Sequence, residues 1–127
     1  MILADSSIWI EFFRSGSPEM AKQILEGQIV MHPFVVAELA LGSLRDRRKT
    51  LEDLDGLPRV EVAYLDEVRG MIEVHGLYSK GIGLTDAHLL ASCLITAGSQ
   101  LWTRDLRLRG IAQLLNVHAD LPGHAAN

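Results

Sequence analysis

Little in this sequence points outside the cell or into a membrane. It holds one cysteine, Cys93, so an internal disulfide is excluded. A reducing compartment, the cytoplasm, is the expected setting. Cys93 lies in the apolar stretch HLLASCLI and is expected in the core, where free thiols commonly sit. No run approaches the roughly 18 apolar residues that span a bilayer. The N-terminus lacks the basic start and unbroken apolar run of a secretory leader. Bases are in deficit, 12 against 16 acids for a net charge of −4, a balance that argues against a nucleic-acid binder. The histidines, at 32, 75, 88, 118 and 124, form no HxxH or HxxxH pair, and neither a serine triad nor a reactive thiolate stands out. GIGLTD echoes a nucleotide-binding glycine loop, but it follows a helical stretch and lacks the third glycine. Repeats, low-complexity segments and linkers are also missing.

What is present fits one domain: 127 residues, 48% of them apolar, enough to build a core. MILAD reads as a short buried strand, followed by a helix, SSIWIEFFR, with Ser6 or Ser7 as cap. SPEMAKQILEG is a second helix, with Ser17 as cap, Pro18 at its first position and Gly27 as its stop. The strand QIVMH and the helix PFVVAELALGSL follow, then a charged helix over RDRRKTLEDLDGL. VEVAYL alternates as a strand does, DEVRGMIEVHGLYSKG is an amphipathic helix, and GIGL turns into the buried helix TDAHLLASCLITAG. QLWT is a strand, RDLRLRGIAQLL a short helix, NVHA a last strand, and residues 121–127 a loose tail. Short apolar strands alternating with helices predict an α/β protein, a three-layer α/β/α sandwich around a short parallel sheet covered on both faces. Ligands in such folds bind at the carboxyl ends of the strands.

Four carboxylates sit where that rule directs attention. Asp5 ends the first strand. Glu38 is the only charge between Pro33 and Leu44, on a helix apolar nearly all round, so it is expected at least partly buried. Asp86 falls in the first turn of an apolar helix, and Asp105 comes two residues after QLWT. Taken singly, Asp5 and Asp86 also fit helix caps and Asp105 a turn residue. Taken together, strand ends and following helix starts share one edge of a parallel sheet, so all four can converge there. Four carboxylates in one cleft repel unless a cation neutralises them, and an all-oxygen donor set suits Mg²⁺ or Mn²⁺. Such ions promote hydrolysis of phosphodiesters.

The segments ILADSSIWIEFF, VVAELALG, GLTDAHLLA and LWTRD, in this order and over about residues 1–120, resemble the PIN-domain ribonucleases, and within them the VapC-type toxins of toxin–antitoxin modules. The resemblance implies a single PIN-like domain over residues 1–127. It implies that Asp5, Glu38, Asp86 and Asp105 are the metal-binding and catalytic quartet, holding one or two Mg²⁺ or Mn²⁺ ions. It further implies that Ser6 and Thr103 support the site or face phosphate. The expected activity is endoribonucleolytic, with a metal-activated water leaving a 5′-phosphate and a 3′-hydroxyl. The expected partners are an RNA substrate, a second copy of the chain, and an antitoxin that assembles with the toxin into a heterotetramer or larger and can reach the active-site groove.

Many relatives read T-x-D-x-D-F at the fourth acid. Here Arg107 and Leu108 replace the last acid and the aromatic, which removes a carboxylate but leaves the quartet whole. Setting the quartet aside leaves 12 of the 16 acids against 12 bases, so a metal-loaded site would not repel RNA. Arg104, Arg107 and Arg109, beside the fourth acid, are the candidate phosphate contacts. The run Arg45, Arg47, Arg48 and Lys49 reads as a solvated helix face or a second contact. Trp9, Phe12 and Phe13 crowd the first helix; core packing accounts for most of them and antitoxin or dimer contact for the rest. Two rivals remain: a catalytically idle module of the same fold that binds RNA or a partner protein, and a phosphatase using Asp5 as nucleophile. The second wants another acid two residues on, where this chain has Ser7.

Overall fold

A computed structural model describes residues 1–123 of the chain. Its elements run β1 (Ile2–Ala4), α1 (Ser6–Ser15), α2 (Pro18–Leu25), β2 (Ile29–Val30), α3 (Pro33–Ala40), α4 (Arg47–Asp55), α5 (Leu65–His75), α6 (Leu84–Ile95), β3 (Gln100–Trp102) and α7 (Leu106–Leu114). The three strands are parallel, in the order β2-β1-β3, with Leu3 opposite Val30 on one side and Leu101 on the other. Successive strand residues point to opposite faces. Because Ile2, Leu3 and Ala4 are all buried, both faces of the central strand are covered. That is the sandwich the alternation of strands and helices predicts. One buried cluster joins the sheet to the helices, from Ile2 to Ala119. Around it α1 packs on α3, α3 on α4, and α5 on α6.

Local chemistry sets most element ends. Ser17 caps α2 by accepting from the Met20 N–H, with Pro18 next in line, and Gly27 turns the chain out at φ 68°. Gly76, at φ 62°, stops α5 earlier than its amphipathic pattern implies, because the left-handed turn ends the helix ladder.

Four expectations need correction. VEVAYL is no strand. A single bridge, Met31 to Arg59, ends the pairing; Val60 and Ala63 are buried at a spacing of three, and Leu65 already starts α5. The alternation in that sequence marks an extended approach to a helix. NVHA also shrinks to one bridge, Leu101 to His118, flanked by the hydrogen bonds Leu101 N–H to Val117 O and Ala119 N–H to Leu101 O. The helix α3 is not buried all round: only Val35 and Leu39 are buried in it, and Glu38 is exposed, as is Leu41 just beyond its end. Phe34, Val36 and Ala40 are half-buried, Val36 packing against the core, and Ala37 is exposed. The tail is not loose where it is described: Leu121 packs on the core, Gly123 is buried, and the Trp102 indole donates to Pro122 O at 3.0 Å. Residues 124–127 lie outside the described residues.

His32 starts α3 in an unusual way. Its imidazole Nδ1 accepts from the Phe34 N–H at 2.9 Å, so the ring serves as the cap oxygen usually does, and the side chain is fully buried. Burial, then the neighbouring His88 ring and Arg59, push its pKa down to about 4. The unfolded ring titrates near 6.5. Its contribution to stability is therefore complete above pH 6.5 and lost as pH falls toward 4, on the order of 2–3 kcal/mol across that window. We expect denaturant unfolding of the wild type to weaken from pH 7 to pH 4.5. His32→Asn, which keeps a capping acceptor but cannot take up the proton, should show a shallower dependence over the same range.

Candidate active site

β1 ends at Asp5, whose backbone N–H still pairs with Trp102 O of β3 at 3.0 Å. The side chain is buried, 6% exposed, and is the N-cap of α1: Oδ1 accepts from the Ile8 N–H at 3.2 Å. Asp5, rather than either serine, is thus the cap. Two hydroxyls hold it as well. Ser7 donates to Oδ1 and Thr103 to Oδ2, each at 2.5 Å. Each hydroxyl oxygen in turn accepts a backbone N–H from the turn between β3 and α7. Arg104 N–H reaches Ser7 Oγ at 3.1 Å and Asp105 N–H reaches Thr103 Oγ1 at 3.0 Å. Two parallel relays therefore run from that turn into the two oxygens of one carboxylate. Oδ1 has both lone pairs engaged, and Oδ2 keeps an acceptor position free.

Asp105 is the N-cap of α7, its Oδ1 accepting from Arg107 N–H at 2.9 Å and Leu108 N–H at 3.2 Å. Asp86 lies in the first turn of α6, half-buried, with its Oδ2 accepting from the Gly83 N–H at 3.3 Å. Glu38 accepts from Ser6 Oγ at 3.0 Å, which ties the start of α1 to α3. Ser6 thus supports the second acid, and Ser7, which the sequence showed only as a candidate cap, supports the first.

The electrostatics show which acids share a field. Burial is the main reason the Asp5 carboxyl is pushed above the usual carboxylate range; Asp86 adds to it, against the hydrogen bonds of Ser7, Thr103 and Ile8. Asp86 is raised too, by burial first, then by Asp105 and Glu38, with Gly83 opposing. Asp86 therefore feels each of the other three. Among the described residues none of the four acids is in an ion pair, since the salt bridges all lie elsewhere. Carboxylates that repel one another, with no ion-pair partner among the described residues, suit a hard divalent cation as donors. They do not form a closed cage: no three Asp, Glu, His or Cys side chains among the described residues are gathered at ligand spacing.

Two open clefts are lined by members of the set, one by Asp105 and the other by Glu38. One, of about 640 Å³, is lined by Ser7, Ile10, Arg104, Asp105, Leu106 and Arg107. The other, of about 580 Å³, includes Ile10, Phe13, Glu38, Leu39 and Arg45. Ile10 belongs to both, so the clefts meet there. Of the crowded aromatics on α1, Trp9 is buried, Phe12 packs against the core, and Phe13 is exposed in the second cleft.

A family model described as PIN domain matches residues 2–114, a span that takes in all four acids. The chain belongs to the PIN-domain family. It is 38% identical over 109 residues, 86% of this chain and 88% of the relative, to Ribonuclease VapC32 of Mycobacterium tuberculosis strain CDC 1551 / Oshkosh. The protein of the same name from strain ATCC 25618 / H37Rv matches to the same extent. In this PIN-domain chain the basic residues beside the fourth acid have separate fates. Arg104 is ion-paired with Glu11. Arg109 lies against Gly123, and Arg107 crosses the loop ahead of α6 at Gly81, where a side chain would collide with its guanidinium. In the other basic run, Arg47 donates to Ala40 O and Gly42 O, while Arg48 and Lys49 pair with Glu52 and Asp53. No described helix is long and apolar enough to cross a membrane.

Thr103→Val keeps the shape of the side chain and removes both hydrogen bonds of the hydroxyl. We expect it to cost about 1–3 kcal/mol in denaturant unfolding at pH 7, because it leaves a buried carboxylate and a backbone N–H short of partners.

Proposed function

We propose that this chain is a divalent-metal-dependent endoribonuclease and the toxin of a toxin–antitoxin pair, working in the cytoplasm. The observation that carries the reading is the unpaired acidic set at the sheet edge, in a chain similar over most of its length to a ribonuclease of the same family. Asp5, Glu38, Asp86 and Asp105 would hold one or two Mg²⁺ or Mn²⁺ ions. Bound there, the metal supplies positive charge to phosphodiester oxygens and acidity to a water.

The chain's own residues do the rest. Ser7, Thr103 and the Ile8 N–H hold Asp5 as a carboxylate acceptor against the cost of burial. Ser6 donates to Glu38 and so orients it from the start of α1. Arg107, in the cleft beside Asp105, has no ion-pair partner among the described residues and is the best placed of the three arginines to meet an RNA phosphate. Phosphate contacts of this kind position the strand and leave base choice to loop shape and surface detail. The exposed Phe13, in the cleft that also contains Glu38, offers an apolar anchor for an antitoxin segment reaching toward the acids. Pairing of two copies, and a heterotetramer or larger assembly with antitoxin, belong to the same reading.

The rival reading is an idle module of the PIN fold that captures RNA or protein. Mn²⁺ titration separates the two, since the idle module cleaves no RNA at any metal concentration. For the nuclease, Asp5→Asn is expected to lower RNA cleavage by at least about a hundredfold and to relieve growth inhibition, with the circular dichroism spectrum unchanged. Undiminished cleavage by that variant would remove the assignment.

A further inference from the structure

Ser7 and Glu11 lie four residues apart on α1 and so share one face of the helix. Both grip the same residue. Ser7 Oγ takes the backbone N–H of Arg104 at 3.1 Å, and Glu11 Oε1 takes its guanidinium Nη1. The side chains of this ion pair are 21% and 17% exposed, well shielded from water and salt. The Arg104 hydrogen bond is the main reason that the Glu11 carboxyl is held below the usual carboxylate range. Arg14 also approaches Glu11, but at 3.6 Å and with its side chain 71% exposed. The Arg104 Nε–H is buried without a partner. This guanidinium is therefore committed to α1, unlike one held ready for a strand of RNA.

The residue so clamped sits between Thr103 and Asp105. One neighbour donates a hydrogen bond from its hydroxyl to Asp5, and the other is the fourth acid of the proposed site. If the turn slid along α1, both relays into Asp5 would lengthen and Asp105 would shift relative to Asp5. We propose that Glu11 and Arg104 are a positioning pair that sets the spacing of Asp5 and Asp105 for metal binding. The inference rests on the nuclease reading above, and it assigns Arg104 to the scaffold of the site instead of to RNA.

The test uses the full chain and Mn²⁺ as the probe. Calorimetry reads Mn²⁺ affinity, a fluorescent single-stranded RNA reads kcat and KM, and thermal unfolding without metal reads the fold. Glu11→Gln is expected to weaken Mn²⁺ binding about tenfold and to lower kcat by a similar factor, with KM for RNA unchanged. The double exchange Glu11→Arg with Arg104→Glu is expected to recover most of the Mn²⁺ affinity. Asp53→Ala, which deletes an exposed ion pair on α4, should change neither quantity. Arg104→Lys keeps the charge but not the fork, and serves if Glu11→Gln fails to fold; it should weaken Mn²⁺ binding about threefold.

Wild-type Mn²⁺ affinity in Glu11→Gln, or in Arg104→Lys where that variant stands in, would overturn the proposal even if the melting temperature fell. So would a Glu11→Gln variant whose KM for RNA drops at unchanged kcat, because freeing Arg104 would then have created a substrate contact. Asp5→Asn is measured alongside. If it still binds Mn²⁺ and cleaves RNA, the nuclease reading falls. If it does neither while Glu11→Gln matches wild type, only the positioning pair falls.

Discussion

The site depends on one buried carboxylate. Asp5 ends the central strand of a sheet covered on both faces, where an isolated charge is expensive to keep. The fold answers with one backbone N–H and two hydroxyls, each hydroxyl held by an N–H from the β3–α7 turn. This satisfies the buried polar atoms, and it also couples three parts of the chain that are distant in sequence. Strand β1, helix α1 and the turn carrying Asp105 meet at two oxygen atoms. Hydrogen bonds to an ionised group are stronger than neutral ones, so the most polar point of the interior also resists rearrangement.

The other acids are arranged more loosely, and the difference has a physical basis. Glu38 is exposed on α3 with one hydroxyl on it, and Asp86 has one backbone N–H. The negative charges of Asp105 and Glu38 both raise the pKa of Asp86, after the larger effect of its burial. Asp105, which accepts two backbone N–H groups as the cap of α7, is held more firmly than Glu38 or Asp86; in the proposed nuclease Asp5 and Asp105 would be the fixed donors, with the other two completing the set.

Much of this was legible in the sequence. The order of strands and helices, the caps at Ser17 and Pro18, and the placing of acids at strand ends and helix starts all follow from local patterns that the fold keeps. The failures are those in which tertiary context overrode a local pattern. The alternation in VEVAYL found no partner beyond Met31. The apolar stretch around Glu38 was read as core, whereas several of its side chains face an open cleft. The contacts of Arg104 with Ser7 and Glu11 had no sequence signal, because each joins residues more than ninety positions apart. The charge of Arg104 and its position beside Asp105 are legible in the sequence and suggest a substrate contact, whereas its ion pair with Glu11 on α1 is visible only in the fold.

The buried Gly123 extends this coupling to the far side of the turn. A β-carbon there would stand 3.3 Å from Thr103 O and 3.1 Å from an Arg109 nitrogen. The segment carrying the fourth acid is thus pressed between α1 in front and a late stretch of chain behind, and Pro122 O secures that stretch to the Trp102 indole. The chain after the last helix works as a backstop. A side chain at position 123, remote from the acids in sequence, would therefore press directly on the turn that carries Asp105.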